Sequence, residues 1–318
     1  MKIFVIGAGR WGSFIAWYLD SIGHEVCLYG REGSEKMKAF METRRNSVIE
    51  LPESVKLTTS LDKITDYDAI LISIDSQGLS RLMLSLKDMG IENKTFILCM
   101  KGIEIGTGKR LSEIVKENTS PTNGVAVWLG PGHVQEFYSG RPNCMVIDSE
   151  SEQTKHLLVD SFSSSLIRFY YGTDLVGNEI GAAAKNVIGI AAGMLDGLGL
   201  SSLKGALMAR APREISRLIS ALGGDPVSVY GLCHLGDYEA TVFSKYSHNR
   251  GYGEALIKGE KQEGLAEGYY TVKALIELSE KHSVDLPICR AVYNVLYLGA
   301  SPTEEMELLF SRSIKSEF

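Results

Sequence analysis

The sequence predicts an α/β chain in two parts: a doubly wound parallel sheet over residues 1–173, followed by an all-α domain over residues 174–318. Three observations predict it. Apolar, β-branched runs alternate with amphipathic stretches through the first half. A glycine-rich loop, Gly7-Ala8-Gly9-Arg10-Trp11-Gly12, sits between the first such run and the first amphipathic stretch, which makes the sheet Rossmann-type. From Asp174 onward the chain is rich in Ala, Leu, Gly and Met at helical spacing.

The elements follow in order. Lys2–Ile6 reads as a strand, 11–21 as a helix and Glu25–Tyr29 as a second strand. Residues 69–74, 95–99, 125–129 and 143–147 continue the series of strands. These runs are apolar on both faces, the pattern of a parallel sheet covered by helices. Stretches 77–88 and 109–117 supply crossover helices, whereas 44–60 is irregular with only a weak strand signal. In the second half, 178–198, 203–222, 265–282 and 287–298 read as helices, and Pro226, Pro287 and Pro302 fit first helical turns.

Composition bounds the function. With 318 residues, 44% hydrophobic and 23% charged, the chain can bury large cores, which excludes wholesale disorder. Its net charge of -6 disfavours a general nucleic-acid binder. Five cysteines (Cys27, Cys99, Cys144, Cys233, Cys289) lie far apart without CxxC spacing, as expected of reduced, buried thiols in the cytoplasm. The histidines show no ligand spacing, so no metal is expected. No targeting segment is evident. Residues 180–200 are the most membrane-like, but they hold Lys185, Asn186, Asp196 and five glycines, and read as a buried helix without stable membrane insertion.

The glycine loop has the context a dinucleotide requires. Gly7 allows the tight turn, Gly9 lets a pyrophosphate approach the backbone, and Gly12 lets helix and strand pack closely. The helix N-terminus faces the phosphates. At the ribose end, the place usually held by an acidic residue is Gly30, followed by Arg31. Arg31 either pairs with a 2′-phosphate, favouring NADP, or is a solvated loop charge, and Glu32 keeps NAD in play.

Lys185 is the most informative residue. It stands among small residues, Gly181-Ala182-Ala183-Ala184-Lys185-Asn186, in an apolar helix. A buried ammonium needs a partner, and desolvation lowers its pKa into the range of a useful acid or base. Snorkelling from a helix edge is the bland alternative. Asp237, flanked by Gly236 in an apolar setting, is the natural partner. Lys101 follows the strand at 95–99, at the carboxyl end of the sheet where ligands bind. The Gly130-Pro131-Gly132-His133 turn offers amides to an anion or a nicotinamide, and Ser247-His248-Asn249-Arg250 offers donors to a phosphate.

Together these motifs resemble, in order and over nearly the whole chain, the bacterial-type NAD(P)-dependent glycerol-3-phosphate dehydrogenases. The resemblance also covers Lys101-Gly102-Ile103-Glu104, Glu179-Ile180-Gly181 and Ala266-Glu267-Gly268. It implies an enzyme of the cytoplasm, by family habit a homodimer, that interconverts dihydroxyacetone phosphate and sn-glycerol 3-phosphate for phospholipid synthesis with NAD or NADP. By this analogy Lys185 is the proton donor, Asp237 orients it, and Lys101 lies near nicotinamide and substrate. Ser247 and Asn249 would hold the substrate phosphate, with Gly130, Gly132 and His248 beside the substrate. Gly7, Gly9, Arg10, Trp11, Gly12, Arg31, Val134, His248, Leu265 and Glu267 would line the cofactor site.

The chain departs from the family pattern at Gly132, usually Ser, and at His248, usually Arg. It departs again at 45–53 and near Lys204–Arg213, which bears on substrate affinity and identity. Two other functions compete: a related two-domain reductase of another small 2-oxo or 2-hydroxy compound, ketopantoate reductase-like or hydroxyacid dehydrogenase-like, and a non-catalytic dinucleotide sensor.

Overall fold

The computed structural model describes residues 1–261, 264, 266–314 and 316. They form two compact units, Met1–Lys101 with Lys109–Glu179, and Gly102–Gly108 with Ile180 onward.

The first unit is built on β1 (Lys2–Ile6), β2 (Glu25–Tyr29), β3 (Lys56–Thr58), β4 (Ala69–Ile72), β5 (Thr95–Leu98), β6 (Gly124–Leu129), β7 (Asn143–Ser149) and β8 (Ile167–Tyr171). They make one eight-stranded sheet in the order β3-β2-β1-β4-β5-β6-β7-β8. β1 to β6 run parallel, with Ile3 opposite Val26 on one side and Ala69 on the other. β7 is antiparallel to β6, and β8 is parallel to β7. The expected doubly wound sheet is therefore present, with an antiparallel junction added. Two strands carried little signal: β3 has three residues, and β8 reads IRFYY with only Ile167 and Phe169 buried. Both lie at sheet edges, where one side meets no neighbouring strand and polar residues are tolerated.

Helices α1 (Arg10–Ser21), α2 (Glu35–Thr43), α3 (Leu79–Leu86), α4 (Leu111–Glu117), α5 (Val134–Tyr138) and α6 (Glu152–Phe162) belong to this unit. The core joins Ile3, Val5, Phe14 and Tyr18 to Trp128 and Phe162. β4 is buried along its whole length, as a central parallel strand must be. The strand order turns outward in opposite directions from β1, and the loops after β1 and β4 meet there: a Cβ on Gly7 would lie 2.1 Å from the Ser73 carbonyl oxygen. This switch point, at the carboxyl ends of the strands, is where such sheets take ligands.

Apart from the segment Gly102–Gly108, the described elements of the second unit are helices and helical turns joined by loops. Its helices are α7 (Leu175–Gly197, whose first turn belongs to the first unit), α8 (Lys204–Ala221), α9 (His248–Lys258), α10 (Glu267–Lys281), α11 (Pro287–Leu298) and α12 (Pro302–Phe310). Pro226, Pro287 and Pro302 occupy first turns, where the missing N–H costs nothing. From Ile180 to Ala192, α7 is buried on every face, which explains its even hydrophobicity. No helix among the described residues is long and apolar enough to cross a membrane.

The small residues of α7 serve a close backbone approach. A Cβ on Gly193 would lie 1.9 Å from the Arg250 carbonyl oxygen, and one on Gly253 of α9 would lie 2.1 Å from that of Ile190. Gly189 and Gly197 continue the face at one-turn spacing, against Thr241 and Ile257. No disulfide joins the described cysteines; Cys144, expected to be buried, is half-buried on β7.

Candidate active site

The dinucleotide loop sits where β1 hands over to α1. Gly7 has φ +122, which a side chain would strain, and a Cβ on Gly12 would lie 1.9 Å from the Gly7 carbonyl oxygen. A Cβ on Gly9 would meet nothing within 4 Å. Two glycines are thus closed by packing while the middle one opens onto free space before the α1 N-terminus, the shape a pyrophosphate needs. The residues fit a dinucleotide.

Arg10 is exposed, whereas Trp11 lies tilted against Phe14 and Phe137 at the margin of the sheet core. Val134 is buried in that core. Arg31 is exposed after β2. Gly30 is tight: a Cβ there would lie 2.8 Å from Met37 of α2, so the position has no room for the missing acidic residue unless Met37 moves.

Lys101 and the Gly130 turn come together, Lys101 Nζ donating to the Gly130 carbonyl oxygen at 2.7 Å. Gly132 has φ +136, and a Cβ there would lie 2.2 Å from the Phe137 ring. The ring fills the space a serine side chain would need, which gives the departure at this position its physical reason.

In the helical unit, Lys185 of α7 meets Asp237. Its Nζ lies 2.8 Å from Asp237 Oδ2 and 2.8 Å from Thr241 Oγ1, which accepts a hydrogen bond. Lys185 is 8% exposed and Asp237 1%. The pair is therefore desolvated, with two fixed partners offsetting the cost of burying the ammonium. Asp237 ends a 3₁₀ turn (Leu235–Asp237), and Thr241 lies in the π-helical turn Glu239–Phe243 that follows. Four residues separate them, but the path runs through two irregular turns, so helical periodicity could not reveal Thr241.

Beside the pair, His234 is wholly buried between the Gly181 carbonyl oxygen at 2.8 Å and the Tyr238 hydroxyl at 2.7 Å. Burial drives its pKa down to about 4, so it is a neutral packing element near pH 7.

The Ser247–Arg250 stretch opens α9. Ser247 caps the helix, its Oγ accepting from the Arg250 N–H at 3.3 Å. Asn249 ties three helices: its Nδ2 donates to Asn186 Oδ1 at 3.1 Å, and its Oδ1 accepts from the Gly268 N–H at 2.9 Å. His248 is half-buried. The Arg250 guanidinium is engaged by Asp196 and Glu254, each at 2.8 Å. Glu267 begins α10, and Leu265 lies outside the described residues.

Sheet topology, an open glycine cradle and a buried lysine–aspartate pair define a two-part, dinucleotide-binding protein of Rossmann type. Comparison with known proteins names the family. The profile of the NAD-dependent glycerol-3-phosphate dehydrogenase N-terminus matches residues 2–155, and that of the C-terminus matches 174–307. The chain belongs to this family. It is 35% identical to glycerol-3-phosphate dehydrogenase [NAD(P)+] of Thermoanaerobacter sp. (strain X514), covering 100% of this chain and 99% of that protein. It is 37% identical to the enzyme of the same name from Pelodictyon phaeoclathratiforme, with the same coverage. The crystal structure of glycerol-3-phosphate dehydrogenase from Coxiella burnetii superposes with a TM-score of 0.92 at 26% identity, over 98% of this chain and 99% of that one.

Proposed function

We propose that this protein is an NAD(P)+-dependent glycerol-3-phosphate dehydrogenase, interconverting dihydroxyacetone phosphate and sn-glycerol 3-phosphate. The observation that carries the reading is Lys185, a buried lysine held by Asp237 and Thr241. A non-catalytic sensor has no need of such a group, and family membership supplies the substrate.

Gly7, Gly9 and Gly12 would hold the dinucleotide, which when bound would supply the hydride for reduction of the carbonyl carbon. Lys185 gives a proton to the C2 oxygen as that oxygen gains negative charge, and in the reverse direction neutral Lys185 takes the proton from the alcohol. Asp237 keeps the ammonium compensated until transfer, and the Thr241 hydroxyl fixes one of its N–H bonds, so another can be aimed at the substrate. Within the sheet unit, Lys101 is braced on the Gly130 carbonyl. Ser247, His248 and Asn249 are assigned to the phosphate end, with His248 at the place the family usually gives to Arg.

The ribose end supports use of NADPH at least as readily as NADH, because Met37 leaves no space for a carboxylate at Gly30 and Arg31 is exposed beside it. We further propose, by family habit, a homodimer in the cytoplasm; exposed Leu298, Leu308 and Phe310 on the helical unit are apolar surface that supports an association.

The test follows reduced-dinucleotide consumption with dihydroxyacetone phosphate, in competition with ketopantoate and other 2-oxo acids. Saturable, phosphate-dependent oxidation is expected. Preference for a non-phosphorylated 2-oxo acid, or no turnover with any substrate, overturns the reading.

A further inference from the structure

We propose that Asp196, Lys204 and Arg250 form a clamp that positions the turn carrying Thr241 and so sets the aim of Lys185. The inference rests on the reading of Lys185 as the proton donor and concerns residues that stand apart from it.

The turn Glu239–Phe243 is π-helical, a wide and weakly self-supporting geometry that needs outside anchors. Two cations provide them. Lys204 Nζ donates to the Val242 carbonyl oxygen at 3.1 Å, and Arg250 Nε donates to the Ser244 carbonyl oxygen at 3.2 Å. These carbonyls flank Phe243, just after Thr241. Both cations converge on one oxygen, Asp196 Oδ2, at 2.6 Å from Lys204 and 2.8 Å from Arg250. Ser201 Oγ donates to Asp196 Oδ1 at 2.7 Å. Burial raises the Asp196 pKa, but the bonds from Lys204, Ser201 and Arg250 outweigh it and hold the carboxyl below its usual range.

The placement is economical. Asp196 lies eleven residues after Lys185 on α7, about three turns and roughly 16 Å along the helix, which returns it to nearly the same face. One helix thus holds the proton donor near its middle and the anchor of the donor's partner at its end. Lys204, the first residue of α8, is buried, and its side chain also lies 5.4 Å over the Phe243 ring. A buried cation without a ligand to bind is costly unless its bonds are spent on something, and here they are spent on the main chain of the turn. With the clamp opened, the turn relaxes, Thr241 withdraws from Lys185, and the ammonium loses its fixed direction.

Asp196, Lys204 and Arg250 are positioning residues, so the test separates rate from binding. Lys204→Met removes the charged head and keeps the stem. Steady-state kinetics of the full chain should show kcat lowered about tenfold, with KM for the dinucleotide within twofold of wild type. Lys204→Arg, which can still bridge Asp196 and a carbonyl, should restore most of the rate. Lys185→Ala is run alongside. If it turns over near the wild-type rate, the reading of Lys185 fails and the clamp falls with it. If Lys185→Ala is inactive while Lys204→Met folds and keeps its kcat, the clamp alone is overturned. Should Lys204→Met not fold, Asp196→Asn is judged by the same split: a lowered kcat with unchanged dinucleotide KM supports the clamp, and a wild-type kcat overturns it.

Discussion

Replacing Lys185 by alanine perturbs two quantities that the same geometry controls. The first is the barrier. Loss of a positioned general acid costs about 10²- to 10⁴-fold in kcat, or roughly 3–5 kcal/mol at 1.36 kcal/mol per decade. The second is the fold. Asp237 is 1% exposed, and Lys185 supplies its ion pair. Removing one partner of a buried pair costs about 3–5 kcal/mol, a large share of the ~5–15 kcal/mol that holds an ordinary domain together. All three tryptophans (Trp11, Trp17, Trp128) lie in the sheet unit, so fluorescence would miss the event. Urea unfolding followed by far-ultraviolet circular dichroism reports the helical unit instead. Lys185→Met/Asp237→Leu should recover most of the lost stability and none of the activity. The reasoning is refuted if Lys185→Ala keeps more than a tenth of the wild-type kcat, or if its stability falls by less than about 1 kcal/mol.

Three further outcomes are expected. Gly193→Ala should gain up to about 1 kcal/mol of helix propensity but lose more to the Arg250 carbonyl 1.9 Å from the new Cβ, for a net loss of about 1–3 kcal/mol by urea titration; a stabilised variant contradicts the close approach. Gly30→Asp alone should weaken NADH and NADPH together in fluorescence titrations, because Met37 is in the way, whereas Gly30→Asp/Met37→Ala should move the preference to NADH; a switch by the single variant would show that Met37 yields freely. Stability against pH should reflect two opposed groups. His234, neutral when folded with its pKa at about 4, removes up to about 3 kcal/mol as pH falls from 6.5 to 4, because the unfolded chain then binds the extra proton. Glu214, buried against the Ile288 and Cys289 N–H groups with its pKa raised to about 7, removes a similar amount as pH rises from 4.5 to 7. Glu214→Gln should therefore unmask the rise of stability with pH; a profile unchanged by the substitution speaks against the raised Glu214 pKa.

The legible parts of the chain were those where periodicity and burial agree. β1, β2 and α11 have the bounds their patterns predict, because each is an apolar run with clear punctuation. The strands at 69–74 and 95–99 end early, at Ile72 and Leu98, where the chain leaves the sheet. β3 and β8 were hidden because an edge strand has no second neighbour and need not look apolar. Lys185 could be singled out because a lone charge in an apolar helix is physically anomalous, and Asp237 because its surroundings are apolar too. Thr241 could not, since its contact with Lys185 depends on a π-helical turn with no sequence signature. Lys204 was concealed differently: it reads as an ordinary helix-start lysine, and only the fold shows its head buried beneath Val242.

The bare face of α7 also shapes what mutation can do here. Where main chain meets main chain at Gly193 and Gly253, no side chain lies between that could trade one rotamer for another. A single added methyl group meets a carbonyl rather than a movable neighbour, so there is no graded series of tolerated sizes to climb. On the proposed assignment of Ser247 and His248 to the substrate phosphate, new preferences are open at the α9 entry and closed along the helix contact. The family chemistry is in this sense anchored on a seam that selection can keep or lose but cannot retune.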